Sequence, residues 1–156
     1  MRLPLVPLNP DPCGWHARML ATMSETTDAI GGKDAPVALT TAPGSSAYTM
    51  HRDGDALVCT VGSTILTYRL DAVDDLHHWL IEQNDWVALG GADENKPAAP
   101  GSVEAFGRDE SNPVGGWYGL RKGYRGRFGV YLPPLLEHLG LVELEHGARN
   151  NRVRAR

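Results

Sequence analysis

The residues best suited to chemistry are cations and aromatic side chains in residues 112–131, where they alternate with six glycines. Arginine offers a planar fork of donors that suits phosphate or carboxylate, and glycine lets a backbone approach another group closely. Successive amides in such a chain can also form an anion-binding concavity. No carboxylate occurs between residues 112 and 136. The pattern therefore predicts an anion-binding site made by Arg121, Lys122, Arg125, Arg127, Tyr118 and Tyr124, joined by Arg149 farther along the chain.

Two interpretations of residues 112–131 stay open on the sequence alone. In the binding interpretation the cations contact phosphates, while Tyr118 and Tyr124 stack on unpaired bases. In the structural interpretation the aromatic residues pack on the core and the cations are solvated, as most surface charges are. Here the glycines let the chain cross between two lobes, and Trp117, Phe128 and Tyr131 pack between them.

The charge of the chain is unevenly distributed along its 156 residues. The formal net charge is −4, but residues 1–116 hold 7 Lys/Arg against 16 Asp/Glu, a net of −9. Residues 117–156 hold 8 against 3, a net of +5. Such asymmetry indicates either an anionic partner for the basic part or attraction between the two parts, within one chain or between copies of it.

Other candidate chemistry is weaker. The run Asp93-Glu94-Asn95-Lys96 contains the acid-x-Lys triplet of many metal-dependent nucleases, but it lies in a predicted linker. His77 and His78 are neighbours on a predicted helix and point about 100° apart, which does not suit one metal ion. His51 and Cys59 are a conceivable base and nucleophile without an orienting third residue. Walker, dinucleotide, HExxH and GxSxG motifs are absent. We therefore predict a non-enzymatic protein without cofactor or metal.

Composition bounds the class of protein. A hydrophobic fraction of 42% and a charged fraction of 22% are ordinary for one folded core. The two cysteines are far apart and are predicted to be free thiols. The proline-interrupted N-terminus does not resemble a signal peptide, and no apolar run is long enough to span a membrane. The expected location is the cytoplasm.

Periodicity predicts an α+β fold. A helical stripe over 14–30 follows a leader fixed by prolines, and four strands follow over 37–41, 47–52, 56–61 and 64–70 as an antiparallel meander. Asp71 is predicted to cap a helix over 72–83, and a short strand follows over 86–89. The run over 90–102 is the predicted linker, after which Ser102 caps a helix over 103–108.

The C-terminal part predicts a helix followed by a hairpin. Pro133 and Pro134 open a helix that ends at Gly140, and LVELEH and NRVRAR pair across a GARN turn. Placing Glu143 opposite Arg154 and Glu145 opposite Arg152 gives favourable cross-strand pairs, which would neutralise the hairpin arginines. Registers shifted by two preserve a similar match.

A helix followed directly by a strand–turn–strand resembles the last part of a winged-helix domain. The resemblance covers residues 133–156, with earlier helices supplied by 72–83 and 103–108, and it implies contact with nucleic acid. The chain departs from the family pattern because the last helix is short and carries Glu137, which does not suit a phosphate-lined groove. Any nucleic-acid contact is therefore expected with the backbone or with unpaired bases.

The predicted elements divide the chain into three segments: a leader and helix over 1–35, the meander with its helix over 36–90, and a C-terminal lobe over 103–156. The function predicted from the sequence is nucleic-acid or other anion binding through 112–131. The alternative is a protein–protein interaction module or a homo-oligomer, in which an acidic N-terminal face meets a basic C-terminal face.

Overall fold

The structure, a computed structural model, describes residues 29–90, 96–116, 118 and 127–156. These residues form an α+β fold in which a four-stranded antiparallel sheet packs with three helices and a smaller three-stranded sheet. The predicted fold class is confirmed. The predicted leader, all but the last two residues of the predicted first helix, and the triplet residues Asp93 to Asn95 lie outside the described residues.

The first sheet is a meander of β1 (Val37–Thr40), β2 (Ala47–Asp53), β3 (Ala56–Val61) and β4 (Thr64–Arg69), in that spatial order. Two-residue loops join β2 to β3 and β3 to β4, and each begins with a glycine, Gly54 or Gly62, whose φ is +60°. Glycine adopts this backbone conformation without the steric cost that a side chain carries, so the loops hold the strands in register. Alternate residues of every strand are buried on one face.

The register of the meander separates His51 from Cys59. Cys59 lies opposite Met50, and both side chains are buried on the core face. His51 is the next residue along β2 and therefore points to the other face of the sheet. Burial raises the pKa of the Cys59 thiol to about 12. The conceivable pair of base and nucleophile is wrong, and Cys59 is a buried free thiol as predicted.

Helix α1 (Ala72–Gln83) has the predicted bounds, but its predicted cap is wrong. Asp71 lies in the helical region of φ and ψ and makes no side-chain hydrogen bond to the helix. Its carboxylate instead accepts a hydrogen bond from the Arg69 guanidinium at 2.8 Å. Helix α2 (Val103–Arg108) is capped as predicted, because the Ser102 hydroxyl accepts a hydrogen bond from the amide of Ala105 at 3.2 Å.

Helix α3 (Phe128–His138) begins five residues before its predicted start, so both prolines lie inside it. Pro133 and Pro134 have no amide hydrogen, and the carbonyls four residues before them lose that helical partner. The helix still forms because its buried face repeats at helical spacing and fills the core. That face carries Phe128, Tyr131, Leu132, Leu135 and Leu136.

The second sheet joins the middle of the chain to its C-terminal part. It consists of β5 (Val87–Ala88), β6 (Val142–Leu144) and β7 (Arg152–Ala155), with β7 in the middle and both pairings antiparallel. The β6–β7 hairpin has the predicted register, with Glu143 opposite Arg154 and Leu144 opposite Val153. β5 precedes the predicted linker over 90–102, and β7 follows it. The hydrogen bonds between these two strands therefore join the predicted segment 36–90 to the predicted segment 103–156. Buried residues of both contribute to one hydrophobic core.

Candidate functional site: an open cleft with two arginines

Four chain segments meet around an open cleft of about 600 Å³, called here the arginine cleft. The segments are the β1–β2 turn, the chain that follows β5, the start of α3 and the β6–β7 loop. Its walls are Thr41, Ala42, Pro43, Ser45, Ser46, Ala88, Leu89, Gly90, Ala99, Arg127, Gly129, Val130, Tyr131, Arg149, Asn150 and Asn151. Among the described residues that line the cleft are two arginines and no carboxylate.

The structure brings Arg127 and Arg149 together, although 21 intervening residues separate them in the sequence. Both residues are exposed. Among the hydrogen bonds and ion pairs of the described residues, neither guanidinium is paired with a carboxylate. Within the described residues, no carboxylate therefore offsets the charge of these two side chains.

A buried carboxylate fixes the start of α3 and thereby the position of Arg127. Glu104 is 1% exposed, and its Oε1 accepts a hydrogen bond from the amide of Gly129 at 2.8 Å. Its Oε2 accepts one from Nε of Arg108 at 2.9 Å. Arg127, the N-cap residue, adopts a φ of +73°. Burial raises the pKa of Glu104, and its hydrogen bonds to Gly129 and Arg108 oppose that shift.

Close backbone packing holds the same corner together. The amide of Glu104 donates to the carbonyl of Leu89 at 3.0 Å, and the amide of Leu89 donates to the carbonyl of Asn151 at 3.2 Å. A Cβ on Gly129 would lie 2.3 Å from the carbonyl oxygen of Leu89, so this position admits only glycine without a backbone shift. The floor of the cleft is therefore preorganised by main-chain contacts.

Side-chain hydrogen bonds shape the two loops above this floor. The hydroxyl oxygen of Thr41 accepts from the amide of Ser46 at 3.3 Å and lies 3.4 Å from the hydroxyl of Ser45. In the β6–β7 loop the side chain of Asn151 accepts from the amide of Gly147 at 2.6 Å and donates to its carbonyl at 2.9 Å. The loop that carries Arg149 is thus closed by its own asparagine.

His146 links three of these elements. One ring nitrogen, Nδ1, lies 2.9 Å from the carbonyl oxygen of Ala42, and the other, Nε2, lies 2.6 Å from a carboxylate oxygen of Glu137. Both neighbours are acceptors, so the arrangement favours the imidazolium, which donates from both nitrogens. The hydrogen bond to Glu137 raises the pKa of His146, assisted by the carbonyl of Ala42.

We expect this contact to make stability depend on pH. Because the folded pKa of His146 lies above its ordinary value of 6.5, the contribution is complete below that value and is lost as pH rises through the raised pKa. The pair is about half-exposed, so the whole effect is expected below about 1 kcal/mol. Urea unfolding of wild type and His146→Ala should therefore differ most at acid pH. His138→Ala, at an exposed position on α3 beside Glu137, is the control. A stability difference between wild type and His146→Ala that is equal at every pH would contradict the proposed role of the His146–Glu137 contact.

The predicted aromatic contacts have a different outcome. Tyr118 is 1% exposed, and its hydroxyl donates to Oδ2 of Asp75 at 2.7 Å. Its ring packs against those of Phe106 and Phe128, with centroids 6.0 and 5.2 Å away. A side chain in this position does not reach a nucleic-acid base, so the stacking role predicted for Tyr118 is corrected to a core role. Arg121, Lys122, Tyr124 and Arg125 lie outside the described residues.

The hairpin arginines are neutralised as predicted. Arg152 makes a two-pronged ion pair with Glu145, and Arg154 pairs with Glu143. Both guanidinium groups also lie over the ring of Trp86, at 5.3 and 4.7 Å from its centroid. These pairs lower the pKa of both glutamates and leave little free charge on this face.

Sequence reasoning missed Glu104, His146 and the hydroxyl groups of the β1–β2 turn. Ser45 carried a turn signal, but Glu104 gave none, because its partner Gly129 is 25 residues away. Within the part of the chain that the structure describes, no cluster of His, Cys, Asp and Glu suits a metal ion. No helix there has the length and apolar character needed to cross a membrane.

Comparison with known proteins gives one match. The model of a family of unknown function, DUF6855, matches residues 29–156, which is most of the chain. The searches of curated proteins and of solved structures found no match. The matched region contains all four segments that form the arginine cleft.

Proposed function

The chain belongs to the DUF6855 family, whose function is unknown, and from the site itself we propose a non-enzymatic anion-binding protein whose preferred partner is nucleic acid. One observation carries the proposal. Arg127 and Arg149 line the same cleft, no carboxylate lines it with them, and neither has an ion-pair partner among the described residues. Arginines in such a position bind phosphate oxygens through charge-assisted hydrogen bonds.

The contrast with the hairpin face supports this choice of surface. Arg152 and Arg154 would have to give up Glu145 and Glu143 before binding an external phosphate. Arg127 and Arg149 have no such competitor among the described residues, so a phosphate that binds them need not displace a described carboxylate. The arginine cleft is therefore the part of the described surface best prepared for a polyanion.

The position of Tyr118 also limits the mode of binding. With its ring in the core, the described site offers phosphate contacts and no stacking by Tyr118. Contacts to phosphate position a nucleic acid without reading its sequence. The proposed activity is consequently sequence-tolerant and strongly dependent on salt.

Binding of a fluorescein-labelled single-stranded oligonucleotide, followed by anisotropy over a series of salt concentrations, tests the proposal. The logarithm of affinity falls with the logarithm of salt concentration, and for a single strand each lost phosphate contact makes this slope less steep by about 0.7. Replacing both Arg127 and Arg149 by alanine should therefore reduce the slope by about 1.4 and weaken binding at low salt.

The control is the double variant Arg152→Ala/Arg154→Ala, which removes two arginines whose charge is already neutralised. We expect its salt slope to match that of wild type. Wild-type binding that does not respond to salt, or equal losses in both double variants, would contradict the proposal. Light scattering at low and high salt, on the same samples, tests the alternative prediction of a homo-oligomer.

A further inference from the structure

We propose that the arginine cleft binds a phosphomonoester, the terminal phosphate of a nucleotide or of a nucleic-acid strand, rather than the diester backbone of a continuous strand. This inference rests on the proposed anion-binding function and names the ligand class of the same site. Three properties of the cleft carry it: its charge, its extent and its hydroxyl-bearing wall.

The charge of the cleft matches a phosphomonoester. Arg127 and Arg149 contribute two positive charges, and the described residues that line the cleft include no carboxylate to offset them. A phosphomonoester carries about −1.5 to −2 at neutral pH, whereas each backbone diester carries a single negative charge. One terminal phosphate therefore matches the charge of the two arginines that line the cleft. A continuous strand would need to bring two phosphates into the same cleft.

The extent of the cleft favours one compact ligand. Its volume of about 600 Å³ is typical of sites that enclose a small molecule. Proteins that hold a continuous single strand instead use a cationic groove that follows the backbone. The cations nearest in sequence on the β6–β7 hairpin, Arg152 and Arg154, are neutralised by Glu145 and Glu143 and do not extend the charge of the cleft.

The wall opposite α3 supplies neutral donors. Thr41, Ser45 and Ser46 come from one turn, and the Thr41 hydroxyl oxygen already accepts from the amide of Ser46. Its hydrogen is left to donate to a phosphate oxygen or to Ser45. A terminal phosphate has three acceptor oxygens that such hydroxyls and guanidinium groups satisfy together.

The amide groups at the start of α3 do not form the phosphate site, because the carboxylate of Glu104, a residue of α2, already accepts a hydrogen bond there. Glu104 accepts the amide of Gly129 at 2.8 Å and is almost completely buried. An external anion therefore has to be recognised through side chains at the mouth of the cleft. Arginine is the side chain whose planar fork gives such recognition geometric specificity.

Calorimetric titration of the full chain with AMP, adenosine and inorganic phosphate tests the ligand class. We expect AMP to bind, adenosine not to bind, and inorganic phosphate to compete with AMP. Arg127→Ala and Arg149→Ala should each weaken AMP binding by about tenfold or more, because each removes a charge-assisted hydrogen bond to phosphate. Arg152→Ala should leave it unchanged. Equal affinity for AMP and adenosine, or no AMP binding, would overturn the inference.

A second pair of probes separates this inference from the proposed function. A single strand with a 5′-phosphate should bind more tightly than the same strand with a 5′-hydroxyl, and the gap should vanish in Arg127→Ala/Arg149→Ala. Equal, arginine-dependent binding of both strands would support the nucleic-acid function and overturn the phosphomonoester site. Binding of AMP without binding of either strand would support the phosphomonoester site and overturn nucleic acid as the partner.

Discussion

Replacing Glu104 by alanine is expected to lower the free energy of unfolding by about 3–5 kcal/mol, the cost of breaking a buried ion pair from one side. The substitution leaves the amide of Gly129 without its acceptor and removes the carboxylate partner of Arg108. Urea denaturation at neutral pH measures the change.

Two further variants make the Glu104 experiment specific. Glu104→Gln preserves an oxygen that accepts from the amide of Gly129, so we expect a loss smaller than that of the alanine variant. Glu82→Ala, at an exposed position on α1, should change stability by no more than about 0.5 kcal/mol. Equal losses in the alanine and glutamine variants would show that the hydrogen bond to Gly129 does not hold the start of α3.

The second large effect is expected at Tyr118. Tyr118→Ala removes a ring that packs against Phe106 and Phe128 and should cost about 3–5 kcal/mol of stability, as deletion of a buried aromatic side chain does. Tyr118→Phe keeps the ring and removes the hydroxyl, so the buried carboxylate of Asp75 loses a donor at 2.7 Å. We expect the phenylalanine variant to lose about 1–3 kcal/mol at neutral pH.

The loss in Tyr118→Phe should depend on pH. Burial raises the pKa of Asp75, and the hydrogen bond from Tyr118 opposes that shift. Removing the hydroxyl raises the folded pKa further above the unfolded value. The unfolded state then releases its proton first as pH rises, so stability falls more steeply in the variant. The gap between wild type and variant should be small near the ordinary pKa of Asp and should grow toward neutral pH.

Tyr48→Phe is the matched control for this pH dependence. The hydroxyl of Tyr48 is also buried, but it donates to the main-chain carbonyl of Tyr131 at 2.9 Å and not to a carboxylate. Its loss should therefore be the same at acid and neutral pH. Oligonucleotide binding gives a second readout, because Tyr118→Phe should leave affinity unchanged. A clear loss of affinity without loss of stability would contradict the core role assigned to the Tyr118 hydroxyl.

The meander and α1 were predictable because their determinants are local. Alternating apolar residues set the strands, and the short loops with Gly54 and Gly62 set the pairing between neighbours. The C-terminal hairpin was also predictable, and its predicted pairs of Glu143 with Arg154 and Glu145 with Arg152 are present, although registers shifted by two offered a similar match. In each case the partners are close in sequence.

The two prolines inside α3 caused the predicted start of this helix to be placed too late. Phe128, Tyr131, Leu132, Leu135 and Leu136 repeat at helical spacing and would have placed the helix correctly. Proline is tolerated in a first turn, so the prediction began the helix there and discarded the residues before it. The packing of Phe128 against Gly107, where a Cβ would lie 2.5 Å from the ring, is a tertiary contact that local rules do not contain.

The arginine cleft was only half predictable. Residue type pointed to Arg127 and Arg149, but their meeting depends on two loops and a helix start that come together through tertiary contacts. The burial of Tyr118 depends likewise on Asp75, which lies 43 residues earlier. A sequence shows that a side chain is suited to a role; only the fold shows whether a partner inside the chain has already taken it.

The central place of β7 in the second sheet has a consequence for synthesis on the ribosome. The meander pairs strands that are neighbours in sequence and can form once residue 69 has emerged, because its strand pairing is local. Val87 cannot pair with Val153, and the amide of Leu89 cannot donate to the carbonyl of Asn151, until those later residues have been synthesised. A nascent chain that has not yet exposed residues 149–155 therefore lacks one wall of the arginine cleft. The proposed anion site is therefore complete only after translation has passed this hairpin.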